Sequence, residues 1–167
     1  MVAMPSEPCS SCDARCCRKY LVAVVPSDVL KISKRLGKTP TEFLNLFPSS
    51  DCSCAHSIPL WLRGKEFYLG LRRGGNGCVF LTADNRCSIH KFKPLVCSTF
   101  PFLLDGENVA KSNACSKAWE GGEGSRRPLR KYHAELKAMR RKIVEWDWHH
   151  SKNGDFPKLM AFLLSTE

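Results

Sequence analysis

Four cysteines fall within nine residues near the start of the chain, in the order Cys9-x2-Cys12-x3-Cys16-Cys17. No other feature constrains the fold as tightly, because a Cys-x2-Cys turn brings two sulfurs within reach of one ion. The vicinal pair is a different case. Adjacent side chains point to opposite faces of a strand and well apart around a helix, so Cys16 and Cys17 are expected to feed two neighbouring sites rather than chelate one ion. Four further cysteines, Cys78, Cys87, Cys97 and Cys115, complete a set of eight, which divides into two four-thiolate sites. Ligands drawn from so long a span meet only if the chain folds, and bound metal then contributes to folding stability. Buried free thiols are the alternative, but packing alone gives no reason for four cysteines in one knuckle.

The chain holds ten cysteines in 167 residues, a share of roughly 6% that lies below that of small secreted disulfide scaffolds. Its opening, Met1-Val2-Ala3-Met4-Pro5-Ser6-Glu7-Pro8, has neither the basic start nor the apolar run of a signal peptide. No apolar stretch approaches the length of a membrane span. The expectation is a cytoplasmic protein. In that reducing compartment clustered cysteines bind metal or do redox chemistry more often than they cross-link. The formal charge is +10; thiolates and their metal lower that sum but leave it basic. Residues 126–142 hold eight Lys or Arg and a single acid, Glu135. Such a stretch attracts nucleic acid or anionic partners, though a solvated helix face is the simpler reading.

Along the chain, Tyr20–Val25 is rich in β-branched residues and reads as a buried strand. A helix follows, with Ser27 as N-cap, Val29, Ile32 and Leu36 on one face, and Gly37 as the stop. Thr39-Pro40-Thr41-Glu42 is a capping box that opens a second helix ahead of Phe43, Leu44 and Leu46. Residues 59–63 and 66–72 flank Gly64-Lys65 as a hairpin, and Gly74-Gly75-Asn76-Gly77 reads as a flexible turn. Cys78–Leu81 and Cys87–Ile89 form a second expected hairpin, residues 90–100 a short helix or turn, and 102–104 with 108–110 a third hairpin. After a glycine-rich linker at 121–124, Leu129, Tyr132, Leu136, Met139, Ile143 and Trp146 make one apolar stripe on a long helix. A last short helix runs from Pro157 to Leu164. The fold class is α+β: a small single domain of short antiparallel hairpins and about four helices organised around cysteine-ligated metal centres. Residues 1–120 form the cysteine-cluster domain and 121–167 a helical extension packed on it.

The knuckle at 9–17, Cys78-Val79-Phe80-Leu81, Cys87-Ser88-Ile89-His90, Lys93-Pro94-x2-Cys97-x2-Phe100-Pro101 and the late Cys115 occur in an order that resembles the YkgJ-type cysteine-cluster family. That family is described as a zinc- or iron-chelating domain. The resemblance spans about residues 9–115 and takes in the helix around Asp28–Leu36 and the Glu42-Phe43-Leu44 element. It implies metal chelation and supplies no reaction, although related clusters in flagellin lysine-N-methylases keep an enzymatic role open. The chain departs from the family pattern in having His90 for Tyr, Lys93-Pro94 for Arg-Pro, and Ser98 for the Arg after Cys97. An absent Arg matters where it would pair with net-negative thiolates, since Lys lacks the planar guanidinium fork.

Zinc suits tetrahedral thiolate sites at short fixed spacing, and four thiolates suit an iron–sulfur cluster equally. The spacing is not that of a bacterial ferredoxin, and both cofactors stay open. Cys52-x-Cys54-x-His56 offers three donors within five residues, but a loop with two thiols and a solvated histidine is preferred. His90 reads as a packing residue with a ligand role as alternative, His149-His150 as a surface pair near a helix end, and Lys93 as a donor to a thiolate or a surface lysine. Phosphate loops, a nucleophile elbow and dinucleotide fingerprints are missing. Three functions follow. The first is a cytoplasmic metal-binding protein with a structural or redox centre that works with a protein partner. The second is an iron–sulfur enzyme or subunit for protein or small-molecule modification. The third, not favoured, is a zinc-scaffolded nucleic-acid binder using residues 126–142.

Overall fold

The computed structural model describes residues 12–51, 59–115, 122–150 and 155–165, with residues 147–150 as backbone alone. In chain order the elements are α1 (Arg15–Lys19), α2 (Pro26–Leu36), α3 (Pro40–Phe43), β1 (Leu44–Pro48), β2 (Leu60–Leu62), β3 (Lys65–Leu71), β4 (Arg73–Gly74), β5 (Gly77–Cys78), α4 (Leu95–Thr99), β6 (Phe102–Asp105), β7 (Asn108–Lys111), α5 (Arg126–His150) and α6 (Phe156–Leu164). Short antiparallel sheets and helices make this a small α+β fold.

The main sheet has the order β1-β3-β2, with Leu44 opposite Leu71 and Leu60 opposite Phe67. Arg63 and Gly64 both have positive φ, 52° and 71°, which is the backbone twist that a two-residue hairpin loop requires. Tyr20–Val25 is buried as expected from Leu21 onward but is not a full strand. It meets β3 through one bridge, Ala23 to Gly70, with Val24 N donating to Leu69 O (3.1 Å) and Leu71 N to Val22 O (2.9 Å). Gly70 permits the approach: a Cβ there would lie 2.7 Å from Leu21 Cδ1.

Two helices differ from expectation. Helix α2 begins at Pro26 with Val25 as N-cap. Ser27 does not cap it; its N–H and hydroxyl both donate to Glu135 on α5, at 2.9 and 2.7 Å. The capping box at Thr39 is present, with Glu42 Oε2 accepting from Thr39 N at 2.7 Å. Yet the helix it opens is a single turn, and Leu44 and Leu46 belong to β1 instead. Pairing of Leu44–Pro48 with β3 satisfies those backbone groups in a ladder, and this outweighs local helix propensity.

The apolar stripe on α5 is buried at all six positions, Leu129 to Trp146. Each such side chain is worth about 1.5–3 kcal/mol relative to exposure. Five of the six, Tyr132 to Trp146, share one core with Val22, Val24, Val25, Val29 and Ile32, with Leu69 and Leu71 of β3, and with Leu159, Met160 and Leu163 of α6. Asp155 caps α6, accepting from Lys158 N at 2.9 Å. Cys78 belongs to that core, and Cys17, Cys87 and Cys97 pack against it. The thiols therefore gather at a border of the core. Among the described residues no helix is long and apolar enough to cross a membrane.

Candidate metal centre

Cys12 precedes α1, and Cys16 and Cys17 lie on it. The three residues between Cys12 and Cys16 turn through Ala14, which sits in the left-handed region at φ 57°. The sulfurs of Cys16 and Cys17 stand 4.0 Å apart. That departs from the expectation that neighbours on a helix hold their sulfurs well apart. It approaches the separation of about 3.8 Å between two thiolates on one tetrahedral ion with 2.3 Å bonds.

Cys78 is on β5, and its partner is Arg73 of β4 across the turn at Gly75-Asn76. The expected hairpin of Cys78–Leu81 with Cys87–Ile89 is present at its turn end alone, with Leu81 bridged antiparallel to Cys87 and Ser88 N donating to Phe80 O at 2.9 Å, while Cys78 itself pairs back to Arg73. The loop between Leu81 and Cys87 is closed by Thr82, whose N–H and hydroxyl both donate to Arg86 O at 2.8 Å. Cys97 lies on α4, and Cys115 follows β7. The seven described cysteines are all free thiols. Cys9 lies outside the described residues, as do Cys52, Cys54 and His56 and the side chains of His149 and His150.

Five of the seven act on one another, Cys16 first of all with Cys17. Every pairing among Cys16, Cys78, Cys87 and Cys97 appears as a mutual repulsion of thiolate charge on at least one partner. All four thiols are pushed above the ordinary range. For Cys78, Cys87 and Cys97 the main cause is burial, whereas for Cys16 it is the hydrogen bond with Cys17, followed by burial. Opposing influences are built into the backbone and its neighbours. The Phe80 N–H bonds to the Cys78 thiol and the Ile89 N–H to the Cys87 thiol, each favouring the thiolate, and Arg73 and Lys93 supply positive charge beside Cys78 and Cys87 respectively. Hydrogen bonds and cations that favour thiolate are what soft-metal ligation needs. Among the described residues, no three Cys, His, Asp or Glu side chains stand close enough to hold an ion as they are. The four sulfurs share a region rather than a closed cage.

Polar ties hold the cysteine-bearing segments to each other, and reasoning from sequence missed them. Arg73 donates to Tyr20 O at 2.6 Å and to Arg18 O, so its guanidinium binds the last carbonyls of α1 and ties that helix to the Cys78 hairpin. Arg18 in turn donates to Asn85 Oδ1 in the loop before Cys87. Asp28 and Lys31 of α2 bond to the segment Lys93–Leu95 ahead of Cys97. None of these residues carries a motif that would mark it, since each acts through a partner distant in sequence. His90 is exposed, and its Nε2 accepts from Lys93 Nζ at 3.2 Å.

The family model "CxxCxxCC: Putative zinc- or iron-chelating domain" matches residues 8–116. The match covers well over half of the chain, which therefore belongs to this cysteine-cluster family, whose description agrees with the zinc or iron–sulfur expectation. Between its second cysteine and the vicinal pair the chain has three residues where the family's name has two. No curated protein and no solved structure shows significant similarity to it.

Proposed function

We infer that Cys16, Cys78, Cys87 and Cys97 form one four-thiolate centre for zinc or an iron–sulfur cluster, and that Cys9, Cys12, Cys17 and Cys115 supply a second centre sharing α1. What supports the first assignment is position: Cys78 lies in the core border with Cys87 and Cys97 packed against it, and α1 with Cys16 lies against the Cys78 hairpin. The four thiols, from four separate segments, also raise one another's cost of ionisation. The second rests on the cysteines left over. The Cys16 and Cys17 sulfurs, 4.0 Å apart, would set the two centres side by side at α1. The same spacing would also suit one shared ion, so the variants below decide between the two. An all-sulfur, half-buried donor set suits a soft metal and leaves no open position for substrate. The centre's role is accordingly structural or redox, in the reducing cytoplasm, and it is exercised through a protein partner rather than on a small molecule. Closure of the sulfurs to bonding distance accompanies ion binding.

Metal analysis and visible absorption of anaerobically purified protein test the reading. A brown protein that bleaches on reduction identifies iron–sulfur, and a colourless zinc-loaded one identifies zinc with a structural role. A preparation without either metal overturns the reading. Cys16→Ser and Cys17→Ser are expected to lose different metals, with Cys97→Ser matching Cys16→Ser; loss of the same metal in the two vicinal variants refutes the division into two centres.

A further inference from the structure

Helix α4, which carries Cys97, begins without a cap of its own. Its N-cap residue is Pro94, whose side chain accepts no hydrogen bond, so the first N–H groups of the helix need acceptors from elsewhere. One comes from α2, 67 residues away in sequence: Asp28 Oδ1 accepts from Leu95 N at 2.9 Å. Asp28 is completely buried. Its other oxygen accepts from Val25 N at 3.4 Å, and Lys31 Nζ reaches Oδ1 at 3.3 Å. The same ammonium donates to Lys93 O at 2.9 Å, a second tie to the strand of chain that leads into α4. Asp28 and Lys31 thus grip both sides of Pro94.

A buried carboxylate is a poor neighbour for a thiolate cluster, and its charge acts against ionisation of Cys97. It is also expensive to bury unless hydrogen-bonded and paired. Packing alone would favour an apolar residue here. What the carboxylate does that an apolar residue cannot is accept from Leu95 N and hold Lys31 against Lys93 O. We propose that Asp28, with Lys31, is a positioning residue for the metal centre: it caps α4 from a different helix and so fixes where Cys97 stands relative to Cys16, Cys78 and Cys87. This rests on the reading of Cys97 as a ligand.

The test is the alkylation rate of Cys97 by iodoacetamide in the reduced, full-length chain, mapped by peptide mass. It is run with and without metal and compared with the rates at Cys12 and Cys115. Asp28→Ala is expected to speed alkylation of Cys97 about tenfold, the scale of losing a buried charge-assisted hydrogen bond, while Cys12 and Cys115 keep their rates. Asp28→Asn retains the acceptor oxygen and is expected to restore most of the protection, which a role through charge alone would not allow. In metal-loaded protein the same order is expected in the rate of metal transfer to a chelator. If Asp28→Ala does not fold, Lys31→Ala decides, since it removes the tie to Lys93 O and leaves the buried carboxylate; a selective rise at Cys97 of several-fold is then expected. Equal rates at Cys97 in wild type, Asp28→Ala and Lys31→Ala overturn the proposal. So does a rise of equal size at all three cysteines. Alkylation of the metal-free chain reads the latch whether or not Cys97 binds metal, so failure here is distinguishable from failure of the metal assignment.

Discussion

A methyl group on Gly77 would sit 2.5 Å from Cys17 O and 2.8 Å from Arg18 Cα, with the backbone there at φ +117°. Glycine is required twice over, by the contact and by the torsion, because both clashing atoms belong to a helix backbone that cannot rotate away. This contact lets the hairpin of Cys78 lie directly on the helix of Cys16 and Cys17. Gly77→Ala is therefore expected to lower stability by about 2–4 kcal/mol and to part Cys78 from Cys16. A reduced urea midpoint and the loss of one centre in the metal count would both report it. Gly75 provides the control. It belongs to the same turn, has no atom within 4 Å of an added Cβ and no positive φ, so Gly75→Ala is expected to stay within about 0.5 kcal/mol of wild type. A Gly77→Ala variant with full metal content and an unchanged midpoint would contradict the packing of β5 on α1.

At the scale of elements, α1 has no buried residue along its five positions, so hydrophobic packing contributes little to holding it. Arg73 does so instead, with one guanidinium fork over the carbonyls of Arg18 and Tyr20 and a positive charge beside the Cys78 thiol. Arg73→Met is expected to weaken metal binding by about tenfold to a hundredfold, the usual cost of losing a residue that orients ligands. Arg73→Lys is expected to recover only part of this, since an ammonium cannot span both carbonyls as a planar fork does. Competition with a chelator of known affinity measures both. This arginine also bears on how far the sequence discloses the fold. The stripe on α5 and the hairpins at 60–71 and 102–111 were legible because their signals are local, a 3.6-residue period or a glycine at a tight turn, although the first turn falls at Arg63-Gly64, one residue before the expected Gly64-Lys65. The run Gly74-Gly75-Asn76-Gly77 read as flexible, although it is the tight turn that pairs Cys78 with Arg73. The turn-rich segment 83–86 marked the hairpin arms 78–81 and 87–89, which meet at Leu81 and Cys87, but gave no sign that Cys78 pairs back to Arg73. The cap on α4 was illegible for the same physical reason. Asp28 is an ordinary first-turn acid in its own helix, and only tertiary contact shows that it also serves another. The cysteines themselves were marked by their count and spacing; the residues that tie their segments together were not.

Taken whole, the molecule has a core built mainly of aliphatic and aromatic side chains, with the thiol region at its border. Val24, Val25, Val29, Ile32, Leu71, Leu136 and Ile143 are almost fully buried and join helices α2 and α5 to the main sheet. Glu135, the sole acid of the basic stretch 126–142, is turned inward to Ser27 and adds a polar tie between the same helices. That leaves Arg127, Arg130, Lys131, Lys137, Arg140 and Arg141 on the exposed side of α5 as a cationic face. The cysteine-bearing pieces are short by comparison: five residues of α1, two of β5 and five of α4. A fold divided in this way opens in parts, because local stability follows local burial. Removal of metal by a chelator under reducing conditions is expected to leave the helical circular dichroism nearly unchanged. Amide hydrogen exchange is expected to accelerate in residues 12–20, 77–81 and 95–99, and to stay slow across Leu136–Ile143 and Leu69–Leu71. Loss of slow exchange everywhere at once would mean that metal and core form a single cooperative unit, in which case the core cannot stand without the centre. With the expected pattern, the metal is a clasp on a preformed body. Variants at Asp28, Arg73 or Gly77 should then change exchange in those same short segments before they change it in the core.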